Sequence, residues 1–345
     1  MRVFIYEFMT GGGWFHLEDR PPAGPLLTEG RAMLEAVATD FAAIANVKVT
    51  TLRDKRVPGF RIPDSVEVRL ISPSKRGVDQ FEELVRNADA VLVIAPELDK
   101  HLWRHIQCAE FYGGKLLSPS PKFVELAGDK WQTHQRLSKA GVPTPKTRLQ
   151  RRDKPWKRSN DLQVVKPIDG CGSLCMGLLL PQTDFDWTNF PGPAAVVQEY
   201  CPGTAASVAL LCGSEARYGL AACQQTLSED CEFRYLGGAC PLTDSLNLRA
   251  QELALCAVRA LAPLPEALGY VGVDLILGEA EDGSQDYVIE INPRLTTSYV
   301  GLRALSNTNL AQAMLDVAQG REPQLNWKPG RVRWTASGEV EYLEA

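Results

Sequence analysis

Glu290, Asn292 and Arg294 alternate along the segment Tyr287-Val-Ile-Glu-Ile-Asn-Pro-Arg294, and Asp274 interrupts an apolar run just upstream, Tyr270-Val-Gly-Val-Asp-Leu-Ile-Leu277. Residues i and i+2 of a strand point to one face. A carboxylate and a carboxamide therefore present oxygens side by side, next to an arginine. Hard oxygen donors of this kind suit Mg²⁺ carrying nucleotide phosphates. If the two apolar runs are neighbouring strands, Asp274, Glu290 and Asn292 form one metal site. The competing reading is an acid at a strand end in a structural salt bridge with Arg294. That accounts for one acid, and not for three donors gathered beside an arginine.

A second group has the chemistry of phosphate binding. Lys166 ends the strand Leu162-Gln-Val-Val-Lys-Pro167 and is followed by Asp169-Gly-Cys-Gly-Ser173. Glycines Gly170 and Gly172 let backbone N–H groups, with that of Ser173, approach oxyanions, and the ammonium adds a point charge. The loop lacks Gly-Lys-Ser/Thr and is no Walker A sequence; a plain hairpin would also explain it. Lys130 stands one turn into a helix capped by Asp129. The strand Val196-Val-Gln-Glu-Tyr-Cys-Pro-Gly203 enters a Pro-Gly turn, where Gln198, Glu199, Tyr200 and Cys201 can offer backbone groups to an adenine edge.

The elements that must position these residues read as α/β. Val3–Tyr6, Val47–Leu52, Val66–Ile71 and Ala90–Ala95 are expected strands, separated by a helix over Glu29–Ala45 capped by Thr28 and another over Val78–Asn87. Such alternation implies a parallel sheet covered by helices, with ligands at the carboxyl ends of its strands. That end carries Glu7, the loop Thr10-Gly-Gly-Gly-Trp14 and Pro96-Glu97. The turn-rich Gly113–Pro121 marks a boundary. Helices are expected over Lys130–Lys139, Gln251–Leu261 and about Asn309–Gln319, with strands dominating Leu162–Val208 and an α+β character in the C-terminal part.

Composition narrows the function. At 345 residues the chain suits about two domains. A net charge of −5 leaves no electrostatic footprint for nucleic acid. No apolar run reaches the ~20 residues of a membrane span. The opening residues read as a strand, not a signal peptide. Nine scattered cysteines without a Cys-x-x-Cys pair fit free thiols in a reducing compartment, so a cytoplasmic location is expected.

Taken in order, these segments resemble the ATP-grasp superfamily over about residues 116 to 320. Asp129-Lys130 with Leu137–Pro145 is similar to the family's first lysine helix, Val165–Ser173 to its second lysine and glycine loop, and Gln198–Cys201 to its adenine hinge. Asp274, Glu290 and Asn292 match its Mg²⁺ ligands, and Arg294 an arginine that stabilises the reaction intermediate. The resemblance implies an ATP-grasp fold with an N-terminal Rossmann-like (pre-ATP-grasp) substrate domain over 1–115. It further implies a small lobe with the glycine loop over 116–198, a large lobe with the metal site over 199–322, and a peripheral segment over 323–345. It implies ATP and Mg²⁺, with Mn²⁺ as an alternative, and an ADP-forming ligase that couples a carboxylate to an amine through an acylphosphate, with Lys166 and Arg294 as catalytic groups. One departure is the region after the hinge, Gly203-Thr-Ala-Ala-Ser-Val208, which lacks the acid that many members use on the ribose.

Val3–Gly13, Leu27–Leu34, Gln224-Gln-Thr and Phe233–Gly238 are also similar to a smaller ATP-grasp group that includes tyramine–glutamate ligases of methanofuran-type cofactor synthesis. That implies glutamate and tyramine, or a similar acid and amine, as substrates. Glu7 and Glu29 would receive an ammonium, Thr297 and Ser298 with Arg294 a carboxylate, and Gly12 and Gly13 would lie beside them. Another amino-acid or dipeptide ligase, or a non-catalytic nucleotide-binding regulator, are the alternatives, and a homodimer is left open. His101 and His105 at i, i+4 could ligate zinc, but without a fourth ligand they read as a helix packing or solvent face.

Overall fold

The computed structural model describes residues 1–13, 20–72, 76–170, 172, 174–261 and 266–343. The N-terminal part runs β1 (Arg2–Glu7), α1 (Pro25–Ala42), β2 (Lys48–Asp54), β3 (Glu67–Ile71), α2 (Arg76–Asn87), β4 (Ala90–Ile94) and α3 (His101–Phe111). Its four strands are parallel in the order β3-β2-β1-β4. Glu7 pairs with Ile94 at the carboxyl ends of central β1 and its edge neighbour β4, which opens the crevice expected there.

Helix α1 departs from the sequence expectation at its start. Thr28 is not the cap; its hydroxyl donates to the Gly24 carbonyl at 3.2 Å from within the first turn. The helix begins at Pro25, after Gly24 at φ 83°. Proline at the first helical position pre-sets φ and has no N–H to leave unpaired. The early start brings Glu29 and Gly30 over the end of β1. A Cβ on Gly30 would lie 2.3 Å from Glu7 Oε1, so only glycine lets α1 settle on this carboxylate.

Two short helices follow, α4 (Pro121–Ala127) and α5 (Lys130–Lys139). Asp129 caps α5 as expected, accepting from the Gln132 amide at 2.9 Å. Next comes a small antiparallel sheet of β5 (Thr147–Arg151), β6 (Gln163–Pro167), β7 (Gly177–Leu179) and β8 (Ala194–Glu199), ordered β5-β8-β6-β7. Val165, Ala195 and Val197 form its core under Trp156, Phe185, Trp187 and Phe190.

The remaining elements are β9 (Thr204–Cys212), β10 (Arg217–Gly219), β11 (Cys223–Leu227), β12 (Tyr235–Cys240), α6 (Asp244–Leu261), β13 (Gly269–Leu277), β14 (Tyr287–Asn292), α7 (Ser298–Leu305), α8 (Leu310–Ala318), β15 (Arg331–Thr335) and β16 (Val340–Leu343). Their strands form one eight-stranded sheet in the order β14-β13-β9-β11-β12-β15-β16, with β10 hanging on β9. One face packs on α6 through Ala250, Ala254, Ala257 and Val258. On the other, Leu211 and Tyr270 share a core with α7, α8 and the apolar stripe Met33, Leu34, Val37 and Phe41 of α1. The N-terminal sheet and the large sheet are thus welded through α1. The C-terminal strands extend this sheet, and Trp334 of β15 is fully enclosed. Among the described residues no helix is long and apolar enough to cross a membrane.

Candidate active site

Strands β13 and β14 are antiparallel neighbours, and their register sets Asp274 opposite Glu290 and Gly272 opposite Asn292. Directly opposed residues share a face, so the three oxygen donors converge. Asn292 Nδ2 donates to Asp274 Oδ2 at 2.9 Å, and Gln225 Nε2 from β11 donates to Oδ1 at 2.9 Å. Burial, with the facing charge of Glu290, pushes the Asp274 carboxyl up to about 7. Two carboxylates held together out of water repel each other until a cation joins them. The donor set, two carboxylates and a carboxamide, is that of a hard divalent ion. No group of three or more His, Cys, Asp or Glu among the described residues offers a rival metal centre.

Both lysines reach this cluster from the far side of the cleft. Lys130 Nζ lies 3.1 Å from Glu290 Oε1 and donates to the Gly170 carbonyl at 2.9 Å, while the Lys130 amide donates to the Ile168 carbonyl. It therefore pins the root of the glycine loop to the acid strand. Lys166, at the end of β6, is almost fully enclosed, and burial pushes its ammonium down to about 8. Together with Gly170, Gly172, Ser207 and Tyr235 these groups line a cavity of about 180 Å³. Ser173 and Cys171 lie outside the described residues.

Arg294 leaves β14 toward the N-terminal sheet. Its Nε donates to Glu97 Oε1 at 2.9 Å and Nη1 to its neighbour Leu295's carbonyl at 3.1 Å. It lines the large cavity and also a smaller one beside it, whose wall includes Glu7, Glu29, Gly30 and Met33. Thr297 Oγ1 donates to Glu29 Oε2 at 3.2 Å. Ser298 is buried within hydrogen-bond distance of Tyr270 and Thr296. Burial raises the Glu29 carboxyl, with Arg294 and Thr297 pulling it back.

Not every expected group reaches the cavities. Glu7 lines the small one, yet its carboxylate already accepts the amides of Met9 at 3.0 Å and Thr10 at 2.7 Å, and burial pushes it up to about 7. Gly12 and Gly13 line neither. Gly12 turns the chain at φ 91°, and Gly13 faces Phe8, whose ring would sit 2.2 Å from a Cβ there. Backbone conformation accounts for Gly12 and packing for Gly13. The hinge residues Gln198 to Cys201 stand beside the large cavity, not on its wall. Gln198 directs its amide to Thr147 Oγ1 at 3.2 Å, and Tyr200 is half-exposed. His105 stacks on Tyr6, and His101 packs on Phe8, as a packing face.

Three residues gain contacts that the sequence does not assign, although Glu97 is expected at the pocket end of the sheet and Gln225 and Tyr235 fall in segments similar to the smaller ligase group. Gln225 orients Asp274, Glu97 grips Arg294, and Tyr235 lines the cavity with its hydroxyl accepting from Trp334 Nε1 at 2.8 Å. Alternation in Gln224-Gln-Thr could have assigned Gln225 a face. Nothing local ties Glu97 to an arginine 197 positions away.

A family profile described as the ATP-grasp domain matches residues 127–298, and one described as the pre ATP-grasp 3 domain matches residues 47–124. The chain belongs to the ATP-grasp superfamily and falls with its carboxylate–amine ligases. It is 29% identical over 322 residues to a tyramine–L-glutamate ligase from Methanocaldococcus fervens, covering 93% of this chain and 95% of that protein. An ATP-grasp superfamily protein of known structure from Archaeoglobus fulgidus superposes with a TM-score of 0.72 at 26% identity, covering 97% of this chain and 92% of the other. The biotin carboxylase domain of the Hydrogenobacter thermophilus 2-oxoglutarate carboxylase, solved with MgADP and bicarbonate, shares the fold. It aligns at a TM-score of 0.66 and 13% identity, covering 96% of this chain and 73% of that one.

Proposed function

We propose that this protein uses ATP to activate a carboxylate as an acylphosphate and passes the acyl group to an amine. The best-supported pair is the γ-carboxylate of glutamate with tyramine or a similar amine. The observation that carries the reading is the convergence of Asp274, Glu290 and Asn292 with Lys130 and Lys166 on one cavity, joined through Arg294 to a second cavity holding Glu7 and Glu29. The Methanocaldococcus ligase supports the substrates, being similar over nearly its whole length.

In this reading residues 1–115 carry most of the substrate pocket, and 116–198 and 199–322 are the two lobes that close on ATP. Asp274, Glu290 and Asn292 would hold Mg²⁺, which when bound neutralises phosphate charge. Lys130 and Lys166 hold the triphosphate. Phosphoryl transfer demands mainly positioning and charge neutralisation, which is what fixed cations on strand ends and a capped helix provide. The substrate carboxylate oxygen bonds to the γ-phosphorus as the bond to the ADP oxygen breaks. The neutral amine's nitrogen then bonds to the acyl carbon as the bond from that carbon to the phosphate oxygen breaks, and the proton the nitrogen sheds leaves with the inorganic phosphate. Arg294 stabilises the charge on the acyl group during both steps. Glu29 and Thr297 orient the amino-acid end, and Ser207, on the cavity wall after the hinge, or backbone groups there serve the ribose in place of the missing acid.

The test is ADP release by purified protein with glutamate, with and without tyramine, against a panel of other acids and amines. The expected result is ADP formation that rises with the amine and yields the amide. A different productive pair would reassign the substrates within the ligase class. No ADP with any pair would reject catalysis and leave a nucleotide-binding regulator.

A further inference from the structure

Tyr235 enters the large cavity from β12, three strands along the sheet from Asp274. The backbone sets its aim. The β11–β12 register slips beside it: Thr226 faces Gly237, but Leu227 faces Tyr235, so Leu236 is an extra residue in β12. A bulge of this kind re-aims the neighbouring side chain. Leu236 is left 50% exposed, whereas Tyr235 turns inward onto the cavity wall.

The C-terminal segment then fixes the phenol. Trp334 of β15 lies opposite Gly238, and its ring fills a slot that a Cβ on Gly238 or Gly301 would invade, to within 2.6 and 2.0 Å. From this seat the indole Nε1 donates to the Tyr235 hydroxyl at 2.8 Å. An indole N–H can only donate, so the Tyr235 oxygen is the acceptor and its own proton points elsewhere. That proton has no acceptor among the described residues. Burial holds the phenol far above its usual range, and the negative charges of Glu29 and Asp274 act on it in the same direction. The hydroxyl therefore remains a protonated donor, in the field of an acid on α1 and an acid of the metal cluster.

Tyr235, Glu29, Asp274 and Arg294 all line the same cavity. A carboxylate entering between Glu29 and Asp274 meets repulsion that donors must offset. Arg294 is one such donor, and it also lines the small cavity. We propose that the Tyr235 hydroxyl is another: it touches the acid substrate and donates a hydrogen bond to the carboxylate that becomes the acylphosphate, with Trp334 as the positioning residue that aims it. The proposal rests on the ligase reading above and adds a substrate-contacting residue to it. It also gives β15, in a segment expected to be peripheral, a part in the site.

The experiment is calorimetric titration of glutamate into the full chain with Mg²⁺ and a non-hydrolysable ATP analogue present. Tyr235→Phe deletes only the hydroxyl. It is expected to weaken glutamate about tenfold, the size of a hydrogen bond to a charged group, with the affinity for the analogue changed less than twofold. Trp334→Phe keeps a ring in the slot and removes the N–H. It is expected to weaken glutamate about threefold, and the double variant no more than Tyr235→Phe alone. An indole with a purely structural role would add its effect to that of the phenol. Should the Tyr235 variant not fold, Trp334→Phe carries the test, and an unshifted glutamate affinity there overturns the proposal. It is also overturned if Tyr235→Phe binds glutamate within threefold of the parent, if the loss falls on the analogue instead, or if the parent binds no glutamate. ADP release by the parent is read separately. Turnover with an unshifted Tyr235 variant removes Tyr235 from the site and keeps the ligase, whereas glutamate binding that the variant weakens, without turnover, keeps Tyr235 and removes the ligase.

Discussion

Asp274 and Lys166 are perturbed in opposite senses, and the pair sets a pH window. Asp274, pushed up to about 7 by burial and by Glu290, carries its charge above that value. Lys166, pushed down to about 8 by burial, carries its charge below that value. Binding of Mg²⁺ with ATP requires both charges. Affinity should be greatest between about 7 and about 8, falling by up to about tenfold per pH unit on either side. It falls on the acid side because Asp274 must shed a proton, and on the basic side because Lys166 must gain one. Calorimetry near pH 6, 7.5 and 9 measures this, and a flat profile would contradict it. Glu290→Ala should lower kcat about 100-fold or more while leaving the far-UV spectrum unchanged, because it removes an oxygen donor and one partner of Lys130. Lys166→Ala should weaken ATP about 10- to 100-fold, the size of a lost charge-assisted bond. Nucleotide affinity equal to that of the parent would remove Lys166 from the site.

Helix α1 and strand β1 meet at a contact that only glycine permits. Gly30→Ala would place a methyl carbon 2.3 Å from Glu7 Oε1 and force the helix off the strand. Overpacking of this kind costs ~1–3 kcal/mol, to be read as a lower urea midpoint. Because Glu29 and Met33 line the small cavity from the same helix, the KM for the acid substrate should rise in the same variant. A KM unchanged alongside a lowered midpoint would show that α1 serves the fold and not the pocket. Gly203 plays a comparable part at the hinge. At φ 150°, with a Cβ position 2.5 Å from the Leu277 carbonyl, it holds the β8–β9 turn against the end of β13.

At the scale of the molecule, one polar cluster locks the N-terminal part to the large sheet. Asp40 on α1 accepts from Tyr299 at 2.7 Å and from Arg303 at 2.5 Å on α7, and its backbone carbonyl accepts the Asn309 side chain at 2.8 Å. The cluster lies beside the apolar core that α1 shares with α7 and α8. Asp40→Ala would leave the guanidinium and phenol without their acceptor, at a cost of about 3 kcal/mol for a largely enclosed pair. Thermal unfolding should shift down by several degrees in one transition. Two separated transitions would mean that the cluster, more than the apolar core, couples the parts. The arrangement matters for function because Glu29 and Glu97 come from one part and Arg294 from the other. Small slippage between them would separate the two cavities.

Local chemistry was legible wherever a residue's role depends on near neighbours. The Asp129 cap, the strand ending at Lys166, and the alternation of Glu290 and Asn292 follow from short-range signals, which act within a turn or a strand, whereas Lys130 stood out only through the family resemblance. Even there Thr28 misled, since Pro25 behind Gly24 starts α1 earlier and by a different signal. The chain order of lysines, hinge and oxygen donors was also enough to place the family. Tertiary structure alone decided which of these groups meet. It put Gln225 on Asp274 and Glu97 on Arg294, joined Asp40 to Arg303 across 263 positions, and packed Gly13 against Phe8, leaving Gly12 and Gly13 off the walls of both cavities. The physical reason is that strand order and sheet-to-sheet docking are set by burial summed over the whole core. No single segment contains that sum, so side chains distant in sequence acquire their partners only once the core has closed.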